Sequence, residues 1–465
     1  MYFEQFYLGC LAHASYMLGS EGEAAVIDPQ RDVDIYLQAA ARQGLKIRHI
    51  FETHLHADFV SGHAELAART GATIYMGEKA DAAFPHVAVK DGFKLTMGKI
   101  HIGALETPGH TPESVCLVVT DTEKSAQPWA ALTGDTLFIG DVGRPDLSTQ
   151  YTSTQLAGML YDSLHGKLLK LNDGVLVYPA HGAGSLCGRN MRAERSSTIG
   201  AERLTNYALQ INNRDEFVRQ LTTNLPERPE YFLQDAQINR TGAPALSDQT
   251  KLLPVSPQEL KTLLEQDVFV LDVRTNADFE AAHVPGSVNI ALSGQFASWA
   301  GIVMGLHARP VLVADTEEQY VEARLRLSRV GIEDPRGFLS GGVAAWKQAG
   351  FATSKLHSVS AAELQEKIRA GAVQVVDVRR EGEWQQGHIP NAAWWPLDNF
   401  RVSAPEVDSA LPVAVHCKSG YRSVIACSLL QRAGLENVIN LSGGFDAWQQ
   451  AALPVETPQV ETQAK

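Results

Sequence analysis

The sequence predicts a multi-domain α/β protein, and three observations support this prediction. Its 465 residues exceed the length of one ordinary domain and suggest about three domains. Strand-like apolar runs alternate with helix-like stretches over residues 1–125. The second half contains two related segments of about 100 residues, an ordinary domain length. We therefore expect a first domain over residues 1–245 and two smaller α/β domains over residues 255–352 and 357–455.

The composition is typical of a globular protein with a negatively charged surface. Hydrophobic residues make up 45% of the chain and charged residues 20%. The net charge of −13 argues against nucleic acid and anionic membranes as partners. The chain has no run of 18 apolar residues and no signal-peptide pattern, and its five cysteines are scattered without CxxC pairs. We expect a cytoplasmic protein, and the oligomeric state stays open, a homo-oligomer included.

The first domain alternates strands with helices, and turn residues mark where these elements end. The predicted elements are, in order, a hairpin over residues 14–18 and 24–27, a helix over 33–43, a strand over 47–52, a helix over 64–69 and a mainly helical stretch over 189–240. Gly44 and Gly71 follow the first two helices. Residues 242–257 contain three prolines and are predicted to be a linker.

Histidine and aspartate residues recur where the predicted strands of the first domain end. The stretch over residues 53–63, THLHADFVSGH, contains His54, His56 and Asp58. A strand places residues i and i+2 on one side, so His54 and His56 can point at one ion. Three later turns each place a histidine or an aspartate after an apolar run: His110, Asp135 and His181. One such residue would be an ordinary turn residue, but the series predicts a metal site.

The motif order HxHxD, GH, GD and PAH resembles the metallo-β-lactamase superfamily, which implies an αββα fold. The usual signature of that family is HxHxDH, and its last histidine serves a second metal. This chain has Phe59 at that position. A phenyl ring has no lone pair, which argues against a complete second site. A single metal held by histidines and one carboxylate suits non-haem Fe(II) and dioxygen better than structural zinc.

The second half of the chain repeats itself. Three motif pairs carry the repeat: LDVR at 271–274 with VDVR at 376–379, HVPG at 283–286 with HIPN at 388–391, and GGVAAW at 341–346 with GGFDAW at 443–448. The first two pairs are 105 residues apart and the third is 102 residues apart. Such a repeat predicts two homologous domains with the same order of strands and helices.

The second copy carries a cysteine between a strand and a helix. The strand-like residues 412–416, PVAVH, lead directly into Cys417, and a helix is predicted over residues 422–433. Loop N–H groups and a helix N-terminus stabilise a thiolate at such a position, and Arg422 and Lys418 add positive charge. We expect Cys417 to be a reactive nucleophile. The other loop residues are candidates for holding the substrate: Ser419, Gly420 and Ser423.

The DVR, H-hydrophobe-PG, CxxGxRS and GGxxxW motifs resemble the rhodanese domain. The cysteine phosphatase loop is the nearest rival, but it has five residues between cysteine and arginine, whereas this chain has four. The shorter loop suits one sulfur atom on Cys417 better than a phosphate. The first copy has Asp315 in place of Cys417 and Tyr320 in place of Arg422. We expect the first copy to be catalytically inactive and structural.

Together, the two halves resemble the persulfide dioxygenase and sulfurtransferase fusion family over nearly the whole chain. The resemblance implies that Fe(II) is bound by His54, His110 and Asp135. Spacing alone does not distinguish His54 from His56, so the choice of His54 rests on the resemblance. It also implies that three further residues orient the ligands: His56, Asp58 and His181. Arg144 lies near the predicted metal and is a candidate for holding an anionic substrate.

The resemblance implies two linked reactions. A low-molecular-weight thiol persulfide is oxidised by O2 to sulfite and thiol, and Cys417 transfers sulfane sulfur to or from sulfite and thiosulfate. Glutathione-using relatives carry an aromatic residue after the PAH motif, whereas this chain has glycine at 182, so the thiol is either glutathione or another such as coenzyme A. Cys187, on a loop near the predicted metal, is either a plain loop cysteine or a sulfur relay.

Two other functions remain open at this point. One is a zinc thioester hydrolase of the glyoxalase II kind, which would use a metal-bound hydroxide. The other is a non-enzymatic carrier or sensor of sulfane sulfur.

Overall fold

The computed structural model describes residues 1–225, 227–246, 253–401, 403, 405–408 and 410–458. The chain forms two compact units. The first contains Met1–Gln249 with Ser328–Gly331, and the second contains Thr250–Leu327 and Ile332–Lys465. The linker that the sequence predicts over residues 242–257 lies in part outside the described residues.

The first unit contains two six-stranded sheets. The first sheet has the order β1-β2-β3-β4-β5-β6, formed by Tyr2–Leu8, His13–Ser20, Glu23–Ile27, Lys46–Phe51, Thr73–Gly77 and Val87–Val89. The second sheet has the order β12-β11-β10-β9-β8-β7, and its strands β7 to β12 are Lys94–Met97, Ile100–Glu106, Val115–Asp121, Ala130–Gly134, Leu176–Pro179 and Ser197–Thr198. The helices α1 to α6 are Asp34–Arg42, His63–Thr70, Ser153–Gly166, Ile199–Thr205, Arg214–Thr222 and Tyr231–Thr241.

The buried side chains show why these elements form four layers. Alternate residues of the strands, such as Tyr16 of β2 and Leu117 of β9, meet in an apolar core between the two sheets. The opposite face of the first sheet packs on α1 and α2, where Tyr36 and Leu66 are buried. The outer face of the second sheet packs on α3, α4 and α5. The αββα arrangement that the sequence predicts is therefore confirmed.

The second unit contains two five-stranded parallel sheets with the same strand order. In the first copy β13 to β17 are Pro254–Val255, Val270–Asp272, Val288–Asn289, Val311–Val313 and Gly337–Leu339, with α7 to α11 at Pro257–Glu265, Asn276–Ala281, Phe296–Met304, Glu317–Ser328 and Gly342–Gln348. In the second copy β18 to β22 are His357–Val359, Gln374–Asp377, Ala393–Trp394, Val413–His416 and Val438–Leu441, with α12 to α15 at Ala361–Arg369, Glu381–Gln385, Tyr421–Arg432 and Gly444–Gln450. The orders are β13-β17-β16-β14-β15 and β18-β22-β21-β19-β20. The predicted repeat of α/β domains is confirmed.

None of the described helices is long and apolar enough to cross a membrane.

The DVR motif of each repeat forms a buried ion pair. Arg274 donates to both oxygens of Asp272, at 3.0 Å from Nε to Oδ1 and 2.6 Å from Nη2 to Oδ2. Its Nη2 also donates to the carbonyl of Ala282. Arg379 makes the same bonds with Asp377. A carboxylate buried at a strand end needs such compensation, which explains why the motif occurs in both copies.

We predict that Arg274→Leu destabilises the second unit by about 3–5 kcal/mol, because it leaves the Asp272 carboxylate buried without its partner. The matched control is Arg309→Leu, since Arg309 is exposed and pairs with Asp334 at the surface, where ion pairs contribute little. Urea unfolding followed by circular dichroism measures both variants. Equal losses of stability in the two variants would show that the buried pair has no special role.

Candidate active sites

A buried group of two histidines and one aspartate lies where strands of the two sheets of the first unit end. His54 follows β4, His110 lies in the turn between β8 and β9, and Asp135 follows β10. Nε2 of His110 is 3.3 Å from Oδ2 of Asp135, and Nε2 of His54 is 3.8 Å from the same oxygen. One ligand atom from each residue lies within 4.8 Å of the others. The three side chains can therefore reach a single ion.

Hydrogen bonds fix which nitrogen of each imidazole faces the group. Nδ1 of His110 lies 2.9 Å from the carbonyl oxygen of Arg144, which can only accept, so Nδ1 carries the proton. The hydroxyl of Thr53 donates to Asp28 and lies 3.0 Å from Nδ1 of His54, so this Nδ1 is also the donor. In both rings Nε2 is left with a lone pair, as a metal ligand requires.

The charges of the three residues also suit a metal. Burial lowers the pKa of His54 well below its ordinary value and lowers that of His110, so both imidazoles are neutral. Burial alone would raise the pKa of Asp135, but the neighbouring His181 and His54 hold it well below its ordinary value. In the part of the chain that the structure describes, Nε2 of His54 and Nε2 of His110 have no hydrogen-bond partner. Two imidazoles and one carboxylate form a donor set that fits Fe(II).

His56 has different partners from His54. Its Nε2 lies 3.2 Å from Oδ1 of Asp28 and 3.5 Å from Oε2 of Glu52. Burial would lower the pKa of His56, but Asp28 outweighs it and raises the pKa. The geometry therefore separates the two histidines, which spacing alone does not. Asp28 also accepts from the backbone N–H of Thr53 at 2.7 Å. It therefore holds the start of the stretch over residues 53–63 that carries His54 and His56, here called the histidine loop.

Asp28 and Glu52 contact His56, and the sequence patterns did not predict either of them as part of the site. Asp28 directly follows β3, so the rule that located His110 and Asp135, an acid or histidine at a strand end, also applies to it. Its backbone adopts φ 51°, a left-handed conformation that asparagine and aspartate accept more readily than other residues. Glu52 at the end of β4 had a weaker signal, since a glutamate beside a strand is ordinarily exposed.

His181 lies between two carboxylates. Its Nδ1 is 2.8 Å from Oδ1 of Asp135, and its Nε2 is 3.0 Å from Oδ2 of Asp58. Burial would lower the pKa of His181, but Asp135 and Asp58 raise it well above its ordinary value. His181 thus orients Asp135, and Asp58 in turn orients His181, as the resemblance implies for residues around the ligands.

The surroundings of His181 include Phe59 and Cys187. The Phe59 ring is fully buried, with its centroid 4.2 Å from that of His13 and 4.4 Å from that of His56. Cys187 is also buried, and ligand atoms of Asp58, His181 and Cys187 lie within 4.8 Å of one another. Burial raises the pKa of the Cys187 thiol well above its ordinary value, which disfavours a thiolate there.

Arg144 is near the group, but its side chain has a partner within the chain. Its Nε and Nη2 donate to the two oxygens of Asp146 at 2.7 and 2.8 Å. Its carbonyl oxygen, in contrast, fixes the ring of His110. The predicted contact between the Arg144 guanidinium and an anionic substrate stays a prediction, and the backbone contact is a role that a sequence motif does not reveal.

Cys417 lies in a tight loop between β21 and α14 of the second unit. Its side chain is 1% exposed, and its Sγ accepts a hydrogen bond from the backbone N–H of Gly420 at 3.1 Å. The hydroxyl of Ser423 is 3.6 Å from the same sulfur. Lys418 and Ser419 are exposed at the mouth of the loop. The strand, loop and helix therefore occur where the sequence predicts them, and Gly420 and Ser423 contact the sulfur.

Arg422 is held by an acid of the same repeat. Its Nη1 and Nη2 each donate to Glu383 of α13 at 2.7 Å. Burial would lower the pKa of Arg422, but Glu383 raises it, so the guanidinium is always charged. The bidentate pair fixes the arginine beside the cysteine loop. The sequence signal for Glu383 was the acid that each repeat carries on the helix after the DVR motif.

Comparisons with known proteins agree with both halves. Residues 8–181 match the model of the metallo-beta-lactamase superfamily, and residues 256–349 and 360–451 each match the model of the rhodanese-like domain. The mitochondrial persulfide dioxygenase ETHE1 of Bos taurus is 30% identical over 221 residues, covering 46% of this chain and 78% of that protein. The hydroxyacylglutathione hydrolase of Francisella tularensis subsp. novicida (strain U112) is 34% identical over 172 residues. That match covers 37% of this chain and 63% of the hydrolase, less than two thirds of its length.

A solved structure is similar to a larger share of the chain. A metallo-beta-lactamase from Staphylococcus aureus subsp. aureus COL superposes with a TM-score of 0.65 at 31% identity, over 72% of this chain and 98% of that one. The resemblances that the motifs indicate are thereby confirmed at the level of the family. The chain belongs to the metallo-β-lactamase superfamily, with persulfide dioxygenases among its homologues, and carries two rhodanese-like domains after its metallo-β-lactamase domain.

Proposed function

We propose that this protein is a non-haem iron persulfide dioxygenase joined to a sulfurtransferase. The observation that carries the proposal is the buried group of His54, His110 and Asp135, with two neutral imidazoles whose Nε2 atoms have no hydrogen-bond partner among the described residues. The fit of this donor set to Fe(II) and the persulfide dioxygenase homologue support it. Phe59 supports one metal rather than two, because it fills the position of the usual sixth motif residue with a ring that cannot bind a metal.

The proposed reaction oxidises the terminal sulfur of a persulfide RSSH. With one O2 and one water it gives the thiol RSH, sulfite and two protons. Fe(II) held by His54, His110 and Asp135 would supply the activation of dioxygen that a redox-inert metal cannot supply. The chain's own residues keep the donors in place, since Asp28 holds the histidine loop and His181 orients Asp135. Their burial excludes bulk water from the reactive sulfur.

A cavity beside the loops that carry His54 and His110 supports a small thiol as the carrier of the persulfide sulfur. It has a volume of about 400 Å³ and is lined by Leu55 and Thr111, the immediate neighbours of His54 and His110 in the sequence. Its walls also carry charges of both signs, from Lys79, Asp81 and Arg240. This volume lies within the range of small-molecule sites. Glutathione, with two carboxylates and one ammonium group, has charges that match these walls, and the larger coenzyme A stays the alternative.

The hydroxyacylglutathione hydrolase homologue keeps one second candidate open, a metal-dependent thioester hydrolase. Such chemistry would use a metal-bound hydroxide. Two features disfavour it here. Phe59 replaces the histidine that usually serves a second metal, and both nitrogens of His181 face carboxylates.

The second proposed activity is sulfur transfer by Cys417. The thiolate attacks the outer sulfur of thiosulfate, the S–S bond of thiosulfate breaks, and sulfite leaves as Cys417 becomes a persulfide. The reverse step gives thiosulfate from sulfite. The N–H of Gly420 donates to the sulfur, and Lys418 at the exposed mouth of the loop attracts the dianion. Because one chain carries both activities, sulfite from the first is formed at a raised local concentration near the second.

We predict that iron-loaded protein consumes O2 with glutathione persulfide or coenzyme A persulfide, and that His110→Ala lowers this rate at least about 100-fold because a metal ligand is lost. Cys417→Ser keeps the O2 uptake but releases sulfite where the wild type releases thiosulfate. An oxygen electrode and chromatography of the sulfur products measure both changes. The control is His101→Ala, since His101 is exposed on β8. Zinc-loaded protein that hydrolyses thioesters and consumes no O2 would overturn the proposal.

We also predict that Asp28→Asn lowers the affinity for iron by about 10–100-fold, the usual effect of losing a residue that orients a ligand. Asp28 holds Thr53, whose hydroxyl fixes the ring of His54. Competition with a coloured chelator measures the affinity. Asp121→Asn is the control, because Asp121 is also buried but lies at the end of β9 outside the group. Wild-type affinity in Asp28→Asn would contradict the role given to this carboxylate.

A third prediction concerns the first repeat. Asp315→Cys should not give it sulfurtransferase activity, because Tyr320 occupies the place of Arg422 and packs on Phe338 with ring centroids 4.4 Å apart. The assay is thiosulfate to cyanide sulfur transfer in a Cys417→Ser background. In the control, Cys427→Ser in otherwise wild-type protein should keep its activity, since Cys427 is a buried core residue of α14. Recovery of activity in Asp315→Cys would show that the nucleophile alone was missing.

A further inference from the structure

A chain of polar contacts leads from the first repeat to the sulfur of Cys417. Nδ2 of Asn440 donates to Oε1 of Glu280 at 2.9 Å. Oδ1 of Asn440 accepts from the hydroxyl of Ser423 at 2.7 Å, and that hydroxyl is 3.6 Å from Sγ of Cys417. Glu280 lies on α8 of the first repeat, whereas the other three residues belong to the second. All four are in the same compact unit.

The donors and acceptors along this chain determine where the Ser423 proton goes. A carboxylate only accepts, so Glu280 selects the orientation of Asn440 in which the amide nitrogen faces it. The same nitrogen lies 3.3 Å from the hydroxyl of Ser358. The amide oxygen then faces Ser423 at 2.7 Å and accepts its hydroxyl proton, and the carbonyl of Gly420 at 3.1 Å is a second acceptor for the same proton. Toward Cys417, Ser423 presents a lone pair, so it accepts from the thiol and donates nothing to the thiolate.

The corresponding position in the second repeat has no such contact. The residue 105 positions after Glu280 is Gln385, which is exposed and donates to Glu381 of its own helix. In the first repeat, the position 102 residues before Asn440 is Phe338, and that before Ser423 is Val321. The polar chain is therefore not a feature that both copies inherit. It connects the inactive copy to the active one.

Two other contacts from the first repeat reach the same loop. The Tyr421 hydroxyl, on the first residue of α14, donates to the carbonyl of Ala291 at 2.7 Å. The Asn276 side chain donates to the carbonyl of Gly420 at 3.4 Å. The first repeat thus contacts the Cys417 loop at its backbone, at its helix start and through the Asn440 amide.

We propose that Glu280 of the first repeat is a positioning residue of the sulfurtransferase site, which fixes the Ser423 hydroxyl against Cys417 through Asn440. The inference rests on the proposed sulfur transfer at Cys417. It assigns a role to the repeat that lacks a nucleophile. By keeping a donor away from the sulfur, Glu280 keeps the thiolate a stronger nucleophile, because each added hydrogen bond to a thiolate stabilises the ground state.

The test is the rate at which iodoacetamide alkylates Cys417 as a function of pH, in the full-length protein, with the Cys417 peptide quantified by mass spectrometry. In Glu280→Ala the Asn440 amide can turn over. Ser423 is then left with the Gly420 carbonyl and the charged thiolate as acceptors, and a charge-assisted hydrogen bond to the thiolate is the stronger of the two. We expect the midpoint of the pH profile to move to lower pH by about one unit. We also expect kcat of thiosulfate to cyanide transfer, measured at a pH where the thiol is fully ionised in both proteins, to fall about threefold. Glu280→Gln keeps an acceptor oxygen for Asn440 and should restore both values.

Two comparisons separate positioning from loss of structure. Glu265→Ala removes an exposed glutamate of the same repeat and should leave the pH profile unchanged. Asn440→Ala should shift the profile in the same direction as Glu280→Ala, and the double variant should shift it no further, because Glu280 acts through Asn440. If Glu280→Ala does not fold, Glu280→Leu carries the test, because it fills similar space and offers Asn440 no acceptor.

A wild-type pH profile in Glu280→Ala or in Asn440→Ala would overturn the inference, and so would shifts that add in the double variant. The alkylation profile does not require sulfur transfer. Wild-type protein without sulfurtransferase activity would therefore refute the proposed function of Cys417 and leave the test of Glu280 interpretable.

Discussion

The first unit depends on one buried charge, the carboxylate of Asp135. A carboxylate without compensation is costly to bury, and here three imidazoles surround it, from His54, His110 and His181. Each of them comes from the end of a different strand, so the two sheets must be in register for the charge to be satisfied. Partners beyond the group then fix the rings: Thr53 and Asp28 for His54, and the Arg144 carbonyl for His110.

The same constraint divides the surrounding residues into those free to bind a metal and those already paired. His56 is held by Asp28 and Glu52, and His181 by Asp135 and Asp58. These interactions leave His54 and His110 as the neutral imidazoles of the group. Two imidazoles and a carboxylate would leave a bound iron ion with open positions for substrates, as the proposed reaction requires.

Much of this arrangement was predictable, because strand ends and turn residues are local features of the sequence. His110 and Asp135 each follow an apolar run, and the repeat of the DVR motif reveals two related domains. The partners were not predictable. Asp28 lies 25 residues before Thr53, and Glu280 lies 160 residues before Asn440. Such pairs depend on packing across elements, and the backbone contact of Arg144 with His110 has no signature in residue type at all.

The proposed function requires that one iron ion, and no second metal, occupies the first unit. The most direct measurement is the metal content of the full-length protein, purified from cells supplied with both iron and zinc, for the wild type and for Asp135→Ala. We predict one iron per chain in the wild type and almost none in the variant. Two zinc ions per chain, one of them lost in Cys187→Ser, would contradict the account, because Asp58, His181 and Cys187 would then form a second metal site.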